Sequence, residues 1–497
     1  MTAKRWNEPC LEGSGSARGG QRQAGSGVDS NGRRRIVCTV SAALVLSIFV
    51  FAGCWKRRES PPLVTQGQPP AETRARGPGP TATWDWNGVI GTGQSLSVGA
   101  EARQVAMTTQ PFENRKLSLG AANVTTPPYD AATPGLSLVP LVEPIRPEVT
   151  SYPGAYPFNI YGETPHTAMA NEISALYARS AGGEYVTVHT VVGESGQGIH
   201  VIDKGAMATA NLGHAYAAAL FEVSAIKRLA ALSGKTYGVG AIVLTHGETD
   251  GTSESYEDDV DRLRRDLGAD IRAITGQTTP IPLLLTQQQT CPGDNSKAAS
   301  LIAEWKSGLD HENEIICVGP KYQYPYASDR LHLVARGYDE LGEKYAEVYY
   351  ERVVLGHRWQ PLQPVAVNRK DRVVTVDFHV PVPPLVWGDE MPAPHQTAHT
   401  RWSKGRGFEV ANREGELTID SVAIRGNSVF ITLASVPPPT DLVVRYAVTQ
   451  DDSGMQGGLA TGRIGQLRDS DPLVGYGTKS AQYNWAVSFA LPVLPVK

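Results

Sequence analysis

Asp329 and His332 are separated by two residues, Arg330 and Leu331, so a carboxylate and an imidazole can meet on a single turn. There the carboxylate can fix the tautomer and orientation of the ring, while the other ring nitrogen reaches a hydroxyl and takes its proton. The hydroxyl candidate is Ser95, which ends the sequence Gly91-Thr92-Gly93-Gln94-Ser95 after an apolar run. A serine activated in this way attacks an acyl carbon. The chain order Ser, Asp, His is one of several in which such triads occur. Such chemistry also needs donors for the oxyanion, and turns rich in glycine can supply backbone N–H groups.

Groups so far apart in sequence must be brought together by the fold. Short, nearly continuous apolar runs fall at Gly88–Thr92, Glu184–Val192, Gly240–Thr245, Ile281–Thr286 and Glu314–Val318. Runs of this kind belong to parallel strands covered on both faces. Helical patterns alternate with them at Thr167–Ser180, within Ala206–Leu232, and at Ser255–Thr275, Ser296–Leu309 and Gly337–Val353. The alternation predicts a three-layer α/β/α sandwich on a parallel sheet. In such a sheet, ligands bind beyond the carboxyl ends of the strands. The polar, glycine-containing segments that follow the strands all fall on that edge: Ser95, Gly193-Glu194-Ser195-Gly196, His246-Gly247-Glu248-Thr249-Asp250, and the Asp329–His332 turn. After about Leu355 the period becomes that of alternating strands, as in Arg372–Val380, Leu417–Ile424, Ser428–Leu433 and Asp441–Val448. This predicts a C-terminal antiparallel β-sandwich-like domain.

These blocks resemble those of the SGNH (GDSL-like) hydrolases, over residues 84–355, and in particular their carbohydrate acetylesterase branch, which includes sialate O-acetylesterase-like proteins. Gly93-Gln94-Ser95 matches the nucleophile block, Gly193 the second block, and Asp329 with His332 the last. The resemblance implies a flavodoxin-like α/β/α fold and a serine esterase that uses no metal or other cofactor. Its catalytic groups are Ser95, Asp329 and His332, and its oxyanion donors are the N–H groups of Ser95 and Gly193. The third block reads Gln-Gly-Glu-Ser-Asp in that branch and His246-Gly247-Glu248-Thr249-Asp250 here. The third oxyanion donor therefore falls to His246 or Thr249, either of which can donate a hydrogen bond. Gln94, Glu248 and Tyr326 are the substrate-contact candidates. The implied substrate is an acetylated carbohydrate or another acyl ester.

Other readings compete at single positions. Ser195 sits in a similar turn and is the rival nucleophile. Glu248 and Asp250 form a pair of carboxylates that could act as in glycosidases or simply hold neighbouring loops. His166, His189 and His200 read as structural, with a place along the cleft as the alternative for His166, and His311 is assigned no role. Tyr322, Tyr324 and Tyr326 alternate just before Asp329 and can either stack on sugars or pack a loop. At the level of function, the alternatives are a surface glycan-binding protein that keeps the hydrolase fold without catalysis, and an esterase or lipase for other acyl groups.

A net charge of −4 and the lack of a basic patch interleaved with aromatics give no expectation of nucleic-acid binding. Residues 1–54 contain Arg33-Arg34-Arg35 followed by an uncharged, largely apolar run from Ile36 to Gly53, the pattern of an export signal. Phe51-Ala52-Gly53-Cys54 resembles a lipobox, which would lipidate Cys54; an uncleaved membrane anchor and ordinary secretion are the alternatives. Residues 55–83, rich in Pro, Gly, Thr and Arg, read as a linker to the hydrolase domain at 84–355, with the β-rich domain at 356–497. The expected location is thus the cell envelope, facing outside the cytoplasm and tied to the membrane by lipid or anchor. Cys10 and Cys38 precede Cys54, which leaves Cys291 and Cys317 as either a disulfide or two thiols.

Overall fold

The computed structural model describes residues 80–206, 214–290, 298–394, 402–438, 441–449, 457–459 and 462–495, all of them within one compact unit. The stretch expected to be an export signal, most of the expected linker, and Cys10, Cys38, Cys54 and Cys291 lie outside the described residues. Among the described residues, no helix is long and apolar enough to cross a membrane.

The first sheet begins with β1 (Trp86–Gly93), β2 (Arg115–Ser118) and β3 (Ser137–Pro140). Helix α1 (Pro165–Ala181) leads to β4 (Thr187–Val191), and α2 (Ile199–Ile202) and α3 (Ala215–Leu232) lead to β5 (Tyr237–Thr245). Then come α4 (Tyr256–Thr275), β6 (Leu283–Gln287), α5 (Ala299–Asp310), β7 (Ile315–Pro320) and α6 (Ala335–Tyr349). The strand order is β3-β2-β4-β1-β5-β6-β7, parallel throughout except for the antiparallel pair β2–β3. Successive strand residues point to opposite faces, and the core divides accordingly. Val89, Val243 and Leu284 pack with Met169 and Ile173 of α1 and Leu341 and Tyr345 of α6. Ile90, Ile242 and Leu283 belong to the cluster that holds Val223 of α3, Leu263 of α4 and Trp305 of α5. The five strands expected from apolar runs are present. The pair β2–β3 was not legible, because both strands are only four residues long and β3, the edge strand, ends in a proline that only an edge tolerates.

The remaining chain forms β8 (Gln363–Lys370), β9 (Val373–His379), β10 (Val386–Trp387), β11 (Phe408–Asn412), β12 (Gly415–Leu417), β13 (Ile419–Arg425), β14 (Ser428–Leu433), β15 (Leu442–Tyr446), β16 (Leu467–Arg468) and β17 (Phe489–Pro495). Eight of these form one sheet, β12-β11-β15-β17-β8-β9-β14-β13. Its pairs are antiparallel except where Leu494 and Pro495 of β17 run parallel to β8, joining two four-stranded halves. The β-rich part is tied to the α/β part by buried hydrogen bonds. Gln287 and Ser488 exchange two, Ser488 N to Gln287 Oε1 at 2.8 Å and Gln287 Nε2 to Ser488 O at 2.9 Å, and Trp305 Nε1 donates to Gln363 Oε1 at 2.9 Å.

Two carboxyls, Glu163 just before α1 and Asp339 in α6, are buried beside one another. Burial pushes Glu163 up to about 9, with the Asp339 charge adding to the rise and the N–H groups of Ala106 and Met107 opposing it. Burial likewise lifts Asp339 to about 7. The folded chain therefore holds protons that the unfolded chain would release above the ordinary carboxyl range, and stability falls as pH rises through that window. The expected result is a melting temperature that drops between about pH 5 and about pH 9, and a flatter profile for Glu163→Gln. Parallel profiles for parent and variant would show that Glu163 is not the protonated group.

Candidate active site

The first turn of the site is fixed by backbone. Gln94 N donates to Thr245 O at 3.1 Å, so the chain leaving β1 is pinned to the end of β5, and Ser95–Ser97 then form one turn of 3-10 helix. Ser97 Oγ closes that turn on Gln94 O at 2.7 Å. The Gln94 side chain accepts from Thr249 N at 3.2 Å, so the block after β5 is held to the nucleophile turn. Gln94 and Ser95 are both buried.

Gly193 follows β4. A Cβ there would stand 1.9 Å from Ser97 Oγ, so only glycine lets this loop approach the serine turn. Glu194 N donates to Gly93 O at 2.9 Å, which sets the approach. Neither the N–H of Ser95 nor that of Gly193 donates to another group among the described residues. Two neighbouring backbone donors without internal partners are what an oxyanion requires.

Beneath Gly193 lies a buried brace that sequence reading missed. Arg146 bonds Val191 O and reaches Asn159 Oδ1 at 2.9 Å and Glu222 Oε1 at 3.2 Å. Asn159 Nδ2 in turn donates to Gly193 O at 2.9 Å, and Tyr156 Oη donates to Glu222 at 2.9 Å. The Arg146 guanidinium also lies 4.7 Å from the centre of the Tyr156 ring. These residues come from an irregular segment and from α3, and no local pattern in sequence links them.

In the third block, Gly247 adopts φ +111°, and a Cβ there would meet Glu304 Oε1 at 2.2 Å. His246 is buried and stacked on Tyr256, with ring centres 5.8 Å apart. Its Nε2 faces Gln197 O at 3.0 Å and its Nδ1 faces Tyr256 Oη at 2.8 Å. A carbonyl can only accept, so Nε2 carries the proton and Nδ1 accepts from the phenol. Burial lowers its pKa, opposed by Asp250 and Glu248, in keeping with this neutral ring. Its one N–H is spent on Gln197, which corrects the expectation that His246 can serve as an oxyanion donor. Thr249, the other candidate, is exposed beside Gln94.

Glu248 and Asp250 each hold a neighbouring loop. Glu248 Oε1 accepts from Lys321 Nζ at 2.6 Å in an ion pair buried at the end of β7, and Asp250 Oδ2 accepts from Ile199 N at 2.7 Å. Glu248 Oε2 is buried without a hydrogen-bond partner. Tyr326 is half-buried near Glu248, with its hydroxyl 3.4 Å from Lys321 O.

The last block carries the pair expected of it. His332 Nδ1 lies 2.5 Å from Asp329 Oδ2, while Asp329 Oδ1 accepts from the N–H groups of Leu331 and His332, both at 3.0 Å. Arg330, between them, takes φ +60° to close the turn. Burial works to raise the Asp329 pKa, but the His332 bond and charge and the two N–H bonds outweigh it and hold the carboxyl below its ordinary value. His332 Nε2 is buried and has no hydrogen-bond partner among the described residues. It is not bonded to Ser95, so proton transfer between them requires a further approach. Tyr338, in the first turn of α6, donates to Ala100 O at 2.8 Å and ties the segment after His332 to the loop after Ser95.

Other candidates fall away. Ser195 is fully buried. His166 is buried against His189, their Nδ1 atoms 3.0 Å apart, and burial drives its pKa down to about 3, so it does not line a cleft.

Removing Arg146 leaves Glu222 buried with its cation gone. We expect Arg146→Met to cost about 3–5 kcal/mol of unfolding free energy, measured by denaturant titration. A loss below about 1 kcal/mol would show that the pair braces nothing.

No family model matches the chain, and no curated protein matches it. Among solved structures, the chain is similar to a carbohydrate acetylesterase from Xanthomonas citri at 13% identity and TM-score 0.49, covering 81% of this chain and 80% of that one. It is similar to a protein from Arabidopsis thaliana at 18% identity and TM-score 0.38, covering 54% of this chain and 98% of that one. The protein NanS aligns at 11% identity and TM-score 0.33, covering 55% of this chain and 98% of that one.

Proposed function

We propose that the chain is an exported serine esterase of the SGNH type that removes O-acetyl groups from carbohydrate. The observation that carries the reading is His332: Asp329 holds one ring nitrogen and leaves the other, Nε2, buried and unbonded. An imidazole so oriented is a general base in want of a hydroxyl. Ser95 is the hydroxyl on the same strand-end edge, tied to that segment through Ala100 and Tyr338.

In the proposed mechanism, His332 Nε2 takes the proton of Ser95 as Oγ attacks the ester carbon. Asp329 stays ionised and stabilises the imidazolium. The oxyanion receives the N–H groups of Ser95 and Gly193 and the hydroxyl of Thr249. The imidazolium then protonates the leaving sugar oxygen. Water, deprotonated by the same nitrogen, attacks the acetyl-enzyme and releases acetate, restoring Ser95. The export signal in residues 1–54 supports placing this activity outside the cytoplasm.

The test is hydrolysis of p-nitrophenyl acetate by the full chain. We expect Ser95→Ala to abolish turnover with melting temperature unchanged, and equal rates in parent and variant would sink the assignment. Thr249→Val should lower kcat by about a hundredfold or more if its hydroxyl is the third donor. Should Thr249→Val keep full kcat, the two backbone N–H groups suffice alone.

A further inference from the structure

The turn that carries Asp329 and His332 is held from outside as well as from within. Inside it, Arg330 N donates to Ala327 O at 3.1 Å, Ala327 N donates to His332 O at 2.7 Å, and Tyr326 pairs with Leu333 as a single antiparallel bridge. Arg330 closes the turn at φ +60°, where a side chain is strained, and a residue stays in that region only when its surroundings hold it there. One of those surroundings comes from the β-rich part, in the segment between β15 and β16: Gly457 N donates to Arg330 O at 2.6 Å.

The peptide that joins Arg330 to Leu331 is thereby gripped on both sides. Its C=O and N–H point in opposite directions, because the unit is planar and trans. The oxygen accepts from Gly457, and the N–H donates to Asp329 Oδ1 at 3.0 Å. Asp329 Oδ2 in turn meets His332 Nδ1 at 2.5 Å. A row of hydrogen bonds thus runs from Gly457 through one peptide and one carboxylate to the imidazole, and each bond in such a row polarises the next. Rotating that peptide would take a donor away from Asp329.

Gly457 can stand here because it has no side chain. A Cβ would lie 2.3 Å from Arg330 O, 2.3 Å from Thr290 Cγ2 and 2.6 Å from Tyr326 Cε1, all well inside the contact distance of carbon. The segment is anchored close by. Arg463 is buried, with Nε donating to Val448 O at 2.7 Å and Nη1 to Gln289 O at 3.4 Å, the residue before Thr290. Gly462 N donates to Gly458 O at 2.9 Å.

We propose that Gly457 is a positioning residue for the esterase reaction, which holds the Arg330–Leu331 peptide and through it the Asp329–His332 pair. This rests on the esterase reading and makes the β-rich part a component of the catalytic centre.

The experiment compares the full chain with Gly457→Ala, with a chain in which the Gly457 amide is replaced by the ester of glycolic acid, and with Gly426→Ala. The first forces the Arg330 peptide to shift. The ester removes the Gly457 N–H and adds no atom that could clash, so it tests the bond even if the alanine variant does not fold. Gly426 takes φ +60° in the turn between β13 and β14 with open space around it, so its alanine variant strains the β-rich part away from Arg330. The readouts are kcat and KM for p-nitrophenyl acetate, the melting temperature, and the downfield proton resonance of His332 Nδ1. Gly457→Ala is expected to lower kcat by about ten- to a hundredfold and the ester by about tenfold, with KM little changed and the resonance shifted or lost. Gly426→Ala should lower the melting temperature and keep both kcat and the resonance. If the Gly457 variants keep kcat and the resonance, or lose activity only in step with the fraction folded, the positioning role is overturned. A parent that cleaves no ester, with the resonance still displaced by the Gly457 variants, would remove the catalytic reading and retain Gly457 as the group that sets Asp329 against His332.

Discussion

Water is shut out of both faces of the parallel sheet, and the rest of the molecule follows from that exclusion. Val89, Ile90, Ile242, Leu283 and Leu284 are fully buried on alternate faces, and polar strand residues such as Asn87, Thr187 and His189 are buried with internal hydrogen-bond partners. Polar chemistry is confined to the strand ends, where backbone groups no longer pair within the sheet and the loops must satisfy them. Ser95, Gly193, Thr249 and the Asp329–His332 turn share that edge for this reason.

The loops at the edge are held by interactions that tolerate little movement. Lys321 with Glu248 and Arg146 with Glu222 are ion pairs taken out of water, whose attraction is offset by the cost of desolvating both partners. Their use lies in geometry. Lys321 ties the third block to the end of β7, and Arg146, through Val191 and Asn159, holds the peptides on either side of Val192. A donor such as the Gly193 N–H helps an oxyanion only if it is aimed before the reaction begins, because reorienting a dipole during the reaction would consume the stabilisation.

Carboxyls of the same type are set to opposite protonation states by their surroundings. Glu163 and Asp339 lie in the core beside one another, where burial favours the neutral form of both and the Asp339 charge adds to the effect at Glu163. Asp329 is partly exposed and accepts three hydrogen bonds, one from the ring of His332 and two from backbone, so it stays charged. A charged Asp329 is what an orienting carboxylate must be, and the hydrogen bonds it accepts secure this.

The runs at residues 88–92, 184–192, 240–245, 281–286 and 314–318 determined the parallel sheet by themselves, because strands covered on both faces are enriched in apolar and β-branched residues. The Asp329–His332 pair was equally legible, since a carboxylate and an imidazole so spaced meet on one turn whatever surrounds them. Tertiary structure decided what depends on distant partners. His246 and Thr249 were equivalent as donors in sequence, and only the packing of Tyr256 and the Gln197 carbonyl against His246 spent its proton. The bracing of Gly193 by Arg146, Asn159 and Glu222 joins residues with no common period. The strands β2 and β3 lack the apolar signal because each is only four residues long and β3, at the edge, need not be buried. Local spacing fixes what neighbouring residues can do to one another. Which nitrogen keeps a free hydrogen is decided by atoms that only folding brings near.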